Sequence, residues 1–236
     1  MLDFKKIVLG LIAVAVSGSA FALPTMKLSS GADSFIVTDN DLVNDDLVVG
    51  NVSDLNSDLG VLLFDGSVGA YDISINAGFT KPATADNFID LLFSALNTGP
   101  TGGDALTLEF SETGFTTLPV LDHFVSSIGG TTQGTVTFDT YVDDSNTLFG
   151  TGIALADMSF GGPSFSDSQV DGPYGAPDLV NPFSLTVVVT VTHDNVFEAS
   201  TGDANIEAVP EPNILALLGM TLLGFGLTTY RRRVRA

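Results

Sequence analysis

The stretch "FSLTVVVTVTH", Phe183–His193, decides the fold class of this chain, because apolar side chains occupy alternate positions along it. Successive side chains of a β-strand point to opposite faces, so one face would be buried and the other would carry threonines. The same alternation appears in "YDISINAGF" (Tyr71–Phe79), "LTLEFSE" (Leu106–Glu112) and "GTVTFDTYV" (Gly134–Val142). The pattern predicts half-buried strands in all of these segments.

The alternation also predicts which side chains face the core. They are Tyr71, Ile73, Ile75, Ala77 and Phe79; Leu106, Leu108 and Phe110; Val136, Phe138, Thr140 and Val142; and Leu185, Val187, Val189 and Val191. Clusters of Gly, Pro, Asn and Asp at 97–103, 129–134 and 161–177 predict turns and loops between the strands. One further segment, "DNFIDLLFSAL" (Asp86–Leu96), has apolar residues at helical spacing and fits a strand equally well.

Several strands with one polar face, and no alternation of strands with helices, predict an all-β fold. The expected architecture is a single β-sandwich, jelly-roll-like, and we place this ectodomain at residues 23–198. The chain has 236 residues, which is enough for one sizeable core.

The charge distribution excludes one class of partner. Between Leu23 and Val209 the chain has 26 acidic residues, and its only basic residues are Lys27 and Lys81. A surface of this sign repels phosphate, so we expect no nucleic acid partner. The chain has no cysteine, which excludes a disulfide framework and a lipid-bearing cysteine.

The N-terminus, "MLDFKKIVLGLIAVAVSGSAFA", predicts a secretory signal peptide at residues 1–22. Two lysines precede an apolar run from Ile7 to Val16, and the small residues Ala20 and Ala22 mark a cleavage site after Ala22. The alternative is an N-terminal membrane anchor, which needs about 20 apolar residues.

The C-terminus predicts a second membrane segment. Residues 213–230 carry no charge, and an α-helix of that length would cover roughly 27 Å, enough for a thin span. The arginines that follow would hold that end in the cytoplasm. They are Arg231, Arg232, Arg233 and Arg235. The alternative is a buried C-terminal helix of a soluble domain.

A proline-rich motif precedes this segment and consists of Val209, Pro210, Glu211 and Pro212. Two prolines around one residue hold the backbone extended. The order of this motif, an apolar helix and an arginine cluster resembles the PEP-CTERM sorting signal of Gram-negative bacteria, over residues 209–235. The residues before the motif, "ASTGDANIEA" at 199–208, are small and polar and predict a flexible spacer.

The resemblance implies that exosortase, an integral membrane enzyme, recognises the motif and removes the tail near it. The protein would then pass from an inner-membrane intermediate to the outer surface or the extracellular matrix. Proteins of this group are typically linked to exopolysaccharide and biofilm. The body also resembles a recurring type of PEP-CTERM ectodomain that has no established activity, and this implies no catalytic residues.

The sequence carries little sign of catalysis. The only histidines, His123 and His193, lie far apart, and no nucleophile elbow, phosphate-binding loop or dinucleotide fingerprint occurs. We therefore expect no enzyme. A pair of glycosidase carboxylates stays open, because carboxylates that meet only in space leave no local pattern.

Calcium is the one cofactor that the sequence suggests, because clustered carboxylates in loops suit it. The candidate ligands are Asp39, Asp41, Asp45, Asp46, Asp54, Asn56 and Asp58. The alternative is that these residues form turns and an acidic, solvated surface.

Three functions remain. The first is a non-enzymatic surface or matrix protein, with a structural role among other matrix proteins or a binding site for exopolysaccharide. The second is a secreted carbohydrate-active enzyme. The third is an ice- or mineral-binding protein that uses the threonine face formed by Thr186, Thr190 and Thr192.

Overall fold

The computed structural model describes residues 22–40, 52–84, 87–99, 103–116, 122–174, 179 and 181–210. All regular secondary-structure elements in these ranges are β-strands, which confirms the all-β prediction. The strands form two six-stranded antiparallel sheets that pack face to face around one core.

The strand order explains how the chain alternates between the sheets. Sheet A contains, in spatial order, β2 (Asp33–Thr38), β1 (Thr25–Ser30), β6 (Leu106–Phe115), β11 (Phe183–Thr192), β8 (Thr135–Asp143) and β9 (Ile153–Gly161). Sheet B contains β10 (Phe165–Tyr174), β7 (Asp122–Thr132), β12 (Ala199–Pro210), β5 (Phe88–Asn97), β4 (Tyr71–Phe79) and β3 (Val61–Val68). From β6 onward the chain changes sheet at nearly every connection, so sequence neighbours often lie in different layers.

The central strands of sheet A confirm the alternation. β11 pairs with β6 on one side and β8 on the other, and its four predicted core residues are fully buried. The predicted core residues of β6 and β8 are fully buried as well. One face of each of these three strands packs against the core, so the apolar residues at alternate positions are the buried ones.

β4 departs from the prediction. Tyr71 and Ile73 face the core, but the pairing of β4 with β5 shifts by one residue between Ile73 and Ala77. Phe79 therefore pairs with the outward-facing Asp90 and is only half-buried. An extra residue in one strand moves every later side chain to the opposite face. Tyr71, Ile73 and Ala77 are buried as predicted, whereas the prediction was wrong for Phe79. The side chain of Ile75 lies outside the described residues.

The ambiguous segment forms β5 over Phe88–Asn97. Its alternate residues Ile89, Leu91, Phe93 and Ala95 are buried in the core. Pairing on both sides, with β4 and β12, satisfies its backbone groups as a strand. The predicted loops were also too long, because 129–132 lies in β7 and 165–174 forms β10.

The prediction of a spacer at residues 199–208 was wrong, because the sandwich continues beyond residue 198. These residues belong to β12, which lies between β5 and β7 near the middle of sheet B. Ala204 and Ile206 point inward and are fully buried. Gly202 lies against the Phe93 ring, where a Cβ atom would be 2.5 Å from the nearest ring carbon. Small residues are needed at this close approach, and they gave the segment its spacer-like composition.

The predicted membrane segments fall beyond the described ranges. Within those ranges no helix is long and apolar enough to cross a membrane. Ala20, the apolar residues 213–230 and the four arginines lie outside the described residues, as do Glu211 and Pro212. Ala22 is the first described residue and is half-buried.

Candidate functional site

The outward face of sheet B contains a polar depression of about 530 Å³, which we call the outer hollow. It is lined by Ser127, Ile128 and Gly129 of β7, Ser166, Asp167 and Ser168 of β10, and Asp203 and Asn205 of β12. Its volume lies within the range of about 300–1,000 Å³ that is usual for small-molecule sites.

A glycine creates the floor of the outer hollow. Gly129 lies opposite Ser166 on one side and Asp203 on the other, so the middle of this row has no side chain. A Cβ atom at Gly129 would find no other atom closer than 3.8 Å. The space above Gly129 is therefore open, and its neighbours form the rim.

The walls of the outer hollow carry groups that can both donate and accept hydrogen bonds. Ser127 is paired with Ser168 of β10 and with Asn205 of β12, which gives a row of hydroxyl, hydroxyl and amide groups across three strands. Asp203 adds a carboxylate acceptor and is exposed, whereas Asp167 is paired with the core-facing Ile128 and lines the hollow only beside Ser166 and Ser168. Such a set suits a ligand rich in hydroxyl groups, because each hydroxyl donates one hydrogen bond and accepts others.

A pair of carboxyl groups lies beside the outer hollow. Asp90 of β5 faces the same side as Asp203, and the two side chains are hydrogen-bonded. Burial, and then the neighbouring Asp203 carboxyl, raise the pKa of Asp90 to about 7. One Asp90 oxygen, Oδ1, is buried without a hydrogen-bond partner. Two carboxyls in contact cannot both ionise cheaply, so a proton is retained between them up to near-neutral pH.

This geometry differs from that of a glycosidase. Retaining enzymes keep their two carboxyls about 5 Å apart and inverting enzymes keep them farther apart, whereas hydrogen-bonded carboxyls are closer than either. The pair can share a proton or accept hydrogen bonds from a ligand. It leaves no room for a sugar ring between the two groups.

The structure brings some of the predicted calcium ligands together. Asp39 is buried and accepts a hydrogen bond from the Gly60 N–H at 2.9 Å, and burial raises its pKa above the usual value. Asp54 lies nearby and accepts hydrogen bonds from the N–H groups of Asn40, Asn56 and Leu63. These bonds fasten the segments around β2 and β3, and they occupy both oxygens of Asp54.

The other predicted ligands do not complete a cation site in the described ranges. Asn56 accepts a hydrogen bond from the Asp58 N–H at 2.6 Å, and both residues belong to a surface turn. Asp41, Asp45 and Asp46 lie outside the described residues. Among the residues that the structure describes, no group of three or more His, Cys, Asp or Glu side chains could hold a metal ion. Calcium binding stays a prediction.

A buried ion pair was missed by the sequence analysis. Glu112 of β6 is almost fully buried, and its carboxylate lies 2.8 Å from the Lys81 ammonium. Lys81 also donates to the Thr113 carbonyl at 2.9 Å and lies 3.7 Å from the centre of the Phe115 ring. Thr80 donates a hydrogen bond to the other Glu112 oxygen. The cluster joins the connection after β4 to sheet A.

The two histidines are far apart. His193 is fully buried, and its Nε2 lies 2.8 Å from the Ser200 hydroxyl, which is itself 2.7 Å from the Thr132 hydroxyl. Burial lowers the pKa of His193 below its usual value. Ser200 is buried too, so this serine cannot reach a substrate as a nucleophile. His123 is half-buried in β7, opposite Val209.

Comparison with known families identifies the C-terminus. Residues 208–233 match the family model of the PEP-CTERM protein-sorting motif. The chain therefore carries this motif behind a β-rich ectodomain, and the matched region begins at Ala208, inside β12. No curated protein matches the chain.

Solved structures give only weak similarity. The enzymatically active domain of tailspike protein 4 from bacteriophage CBA120 is 13% identical with a TM-score of 0.32, over 63% of this chain and 19% of its own length. One mutant of the family 29 carbohydrate-binding module CBM29-2 is 9% identical with a TM-score of 0.26, over 63% of this chain and 89% of its own. A second mutant is 10% identical with a TM-score of 0.26, over 62% and 90%. These scores are too low to carry an argument about fold or ligand.

Proposed function

From the PEP-CTERM protein-sorting motif at residues 208–233, which implies export and recognition by exosortase, we propose a cell-surface or matrix protein that binds polysaccharide. The predicted signal peptide at 1–22 would start export, and the apolar residues 213–230 would hold the inner-membrane intermediate. Processing would then deliver the β-sandwich to the outer surface or extracellular matrix of a Gram-negative bacterium. There, the outer hollow would bind a strand of exopolysaccharide.

The outer hollow is the observation that supports this ligand. It presents hydroxyl, amide and carboxylate groups in rows over an open floor, and none of its lining residues is basic. Carboxylates near the ligand disfavour an anionic sugar, because like charges repel. The preferred ligand is therefore a neutral polysaccharide, whose hydroxyls can donate to Asp203 and exchange hydrogen bonds with Asn205 and Ser127.

The two other functions have less support. The contact between Asp90 and Asp203 does not fit the carboxyl spacing of a glycosidase, so this pair gives no support to a glycosidase, and we propose a binding protein. The threonine face proposed for ice or mineral binding is interrupted. Thr186 is buried and hydrogen-bonds with the Ser111 hydroxyl at 2.9 Å, so it offers nothing to a flat surface.

The test is binding of the exported, purified protein to a panel of neutral and anionic polysaccharides, followed by titration calorimetry of the hits. Gly129→Val should fill the outer hollow and weaken binding at least tenfold, since the backbone has room for the new side chain. Gly161→Val on β9 is the matched control, because a Cβ atom there meets nothing within 4 Å and the backbone likewise has room for the new side chain. Equal binding by both variants, or binding to no polysaccharide, would contradict the proposal.

A further inference from the structure

The sorting motif is continuous with the fold. β12 pairs with β5 as far as Glu207 and with β7 as far as Pro210, which lies opposite Asp122. The family match begins at Ala208, so the first residues of the motif are the last residues of the strand. Proline has no N–H group, which suits a position where strand pairing ends.

Both ends of the body leave from one end of the sandwich. Ala208 donates its N–H to the Asn87 carbonyl at 3.0 Å, and the Asn87 side chain donates to the Thr116 carbonyl at 2.8 Å, just beyond β6. β6 pairs with β1 so that Thr25 lies opposite Ser111, near the same end. The pairing partners of β12, β5 and β7, both precede it in the chain, so β12 can pair before the tail is removed.

Paired β12 is a poor substrate. Enzymes that act on peptides commonly bind them as an added strand, which needs a free backbone edge. β12 has neighbours on both edges, and the inward side chains of Ala204 and Ile206 are fully buried. Access to these peptide bonds would require local unfolding of the middle of sheet B. Pairing with β5 ends at Glu207, so a free edge begins only at the motif.

We propose that β12 sets the limit of processing: exosortase cuts on the C-terminal side of Pro210, and the delivered protein keeps the whole of Ala199–Pro210. The cut breaks one peptide C–N bond. The carbonyl carbon gains the oxygen of water or the nitrogen of an amine acceptor, and the original nitrogen leaves with the tail as a new amino terminus. This inference depends on the sorting motif and is independent of polysaccharide binding.

The first test maps the C-terminus of the delivered protein. The full chain is expressed in a Gram-negative cell that has exosortase, and the exported form is analysed by intact mass and by sequencing of its C-terminal peptide. The expected last residue is Pro210 or a later residue before the apolar segment. A last residue at Val209 or earlier, or a delivered protein that retains residues 213–230, would overturn the inference.

The second test asks whether strand pairing provides the protection. A broad-specificity protease is added to the purified full chain, and the products are followed by intact mass. Trimming from the C-terminus should stop at or after Pro210 in the unmodified protein and in Ile73→Ala, which shortens a fully buried side chain of β4. Ile206→Ala makes the same deletion in β12 and should add products that end within 199–209.

Identical product patterns for Ile206→Ala and Ile73→Ala would overturn the protective role of β12, as would rapid trimming into β12 of the unmodified protein. Polysaccharide binding is measured on the same preparations. A protein that binds no polysaccharide but keeps Pro210 would refute the proposed ligand and leave the processing limit intact.

Discussion

Replacing Asp90 by asparagine isolates the effect of holding two carboxyl groups together beside the outer hollow. The substitution keeps the shape of the side chain, and its amide can donate a hydrogen bond to Asp203. In the unmodified protein the pKa of Asp90 rises from 3.8 to about 7, first because of burial and then because of Asp203. The folded protein therefore holds a proton that the unfolded chain releases between these two pH values.

The sign and size of the effect follow from this difference. Stability falls with rising pH wherever the folded state binds more protons, so the unmodified protein should lose stability from about pH 4 to about pH 7. The full change in pKa would correspond to a loss of about 4 kcal/mol in the free energy of unfolding. Asp90 lies on an outer face that water reaches, and water screens the repulsion between the two carboxyls. We therefore expect an actual loss of about 1–2 kcal/mol in the free energy of unfolding. Asp90→Asn should match the unmodified protein near pH 4 and exceed its stability by that amount at pH 8.

Urea denaturation at several pH values between 4 and 8 measures this difference, and unchanged m-values would show that both proteins unfold to the same extent. Asp144→Asn is the control, because it removes one exposed charge from a chain whose net charge is −20. If the two substitutions stabilise equally, the effect is general charge relief. A difference that does not change with pH, or a less stable Asp90→Asn protein at pH 8, would refute the explanation.

Two further predictions test the packing around this face and the buried ion pair. Gly130→Ala should destabilise the protein by about 2 kcal/mol or more, because its Cβ would lie 2.1 Å from the Thr201 carbonyl oxygen and force the strands apart; a shift in melting temperature below 2 °C would contradict this. Lys81→Met should cost about 3 kcal/mol at neutral pH, because it leaves the buried Glu112 carboxylate without its cation. Since burial raises the pKa of Glu112, part of that loss should be recovered on acidification, and denaturation curves at neutral and acid pH would show whether it is.

The alternation of side chains predicted β6, β8 and β11 of sheet A correctly, because these strands place most of their large apolar residues on one face. Val187, Val189 and Val191 of β11 are examples, and all three are fully buried. β12 carries the same period, but Ser200, Gly202 and Ala204 on its inward face are small, and Gly202 lies against the Phe93 ring. Its composition resembles that of a linker, and only the pairing with β5 and β7 distinguishes it from one.

The outer hollow could not be predicted for a related reason. It is built from three strands that are adjacent in sheet B but separated along the chain, at 127–129, 166–168 and 203–205. Gly129 was assigned to a turn, because a glycine pair in sequence is more typical of a turn than of a strand. Its position in β7 depends on register, and register is set by pairing between distant segments.

β12 links the two proposals, because its outer face, its inner face and its C-terminal end have different roles. Asp203 and Asn205 on its outer face line the outer hollow, Ala204 and Ile206 on its inner face complete the core, and its last residues begin the sorting motif. Pro210 lies five residues beyond Asn205, which is about 17 Å along a strand. A cut even a few residues before the motif would therefore loosen the wall of the hollow as well as the middle of sheet B. A protein that must bind after processing needs its cleavage site beyond the end of this strand.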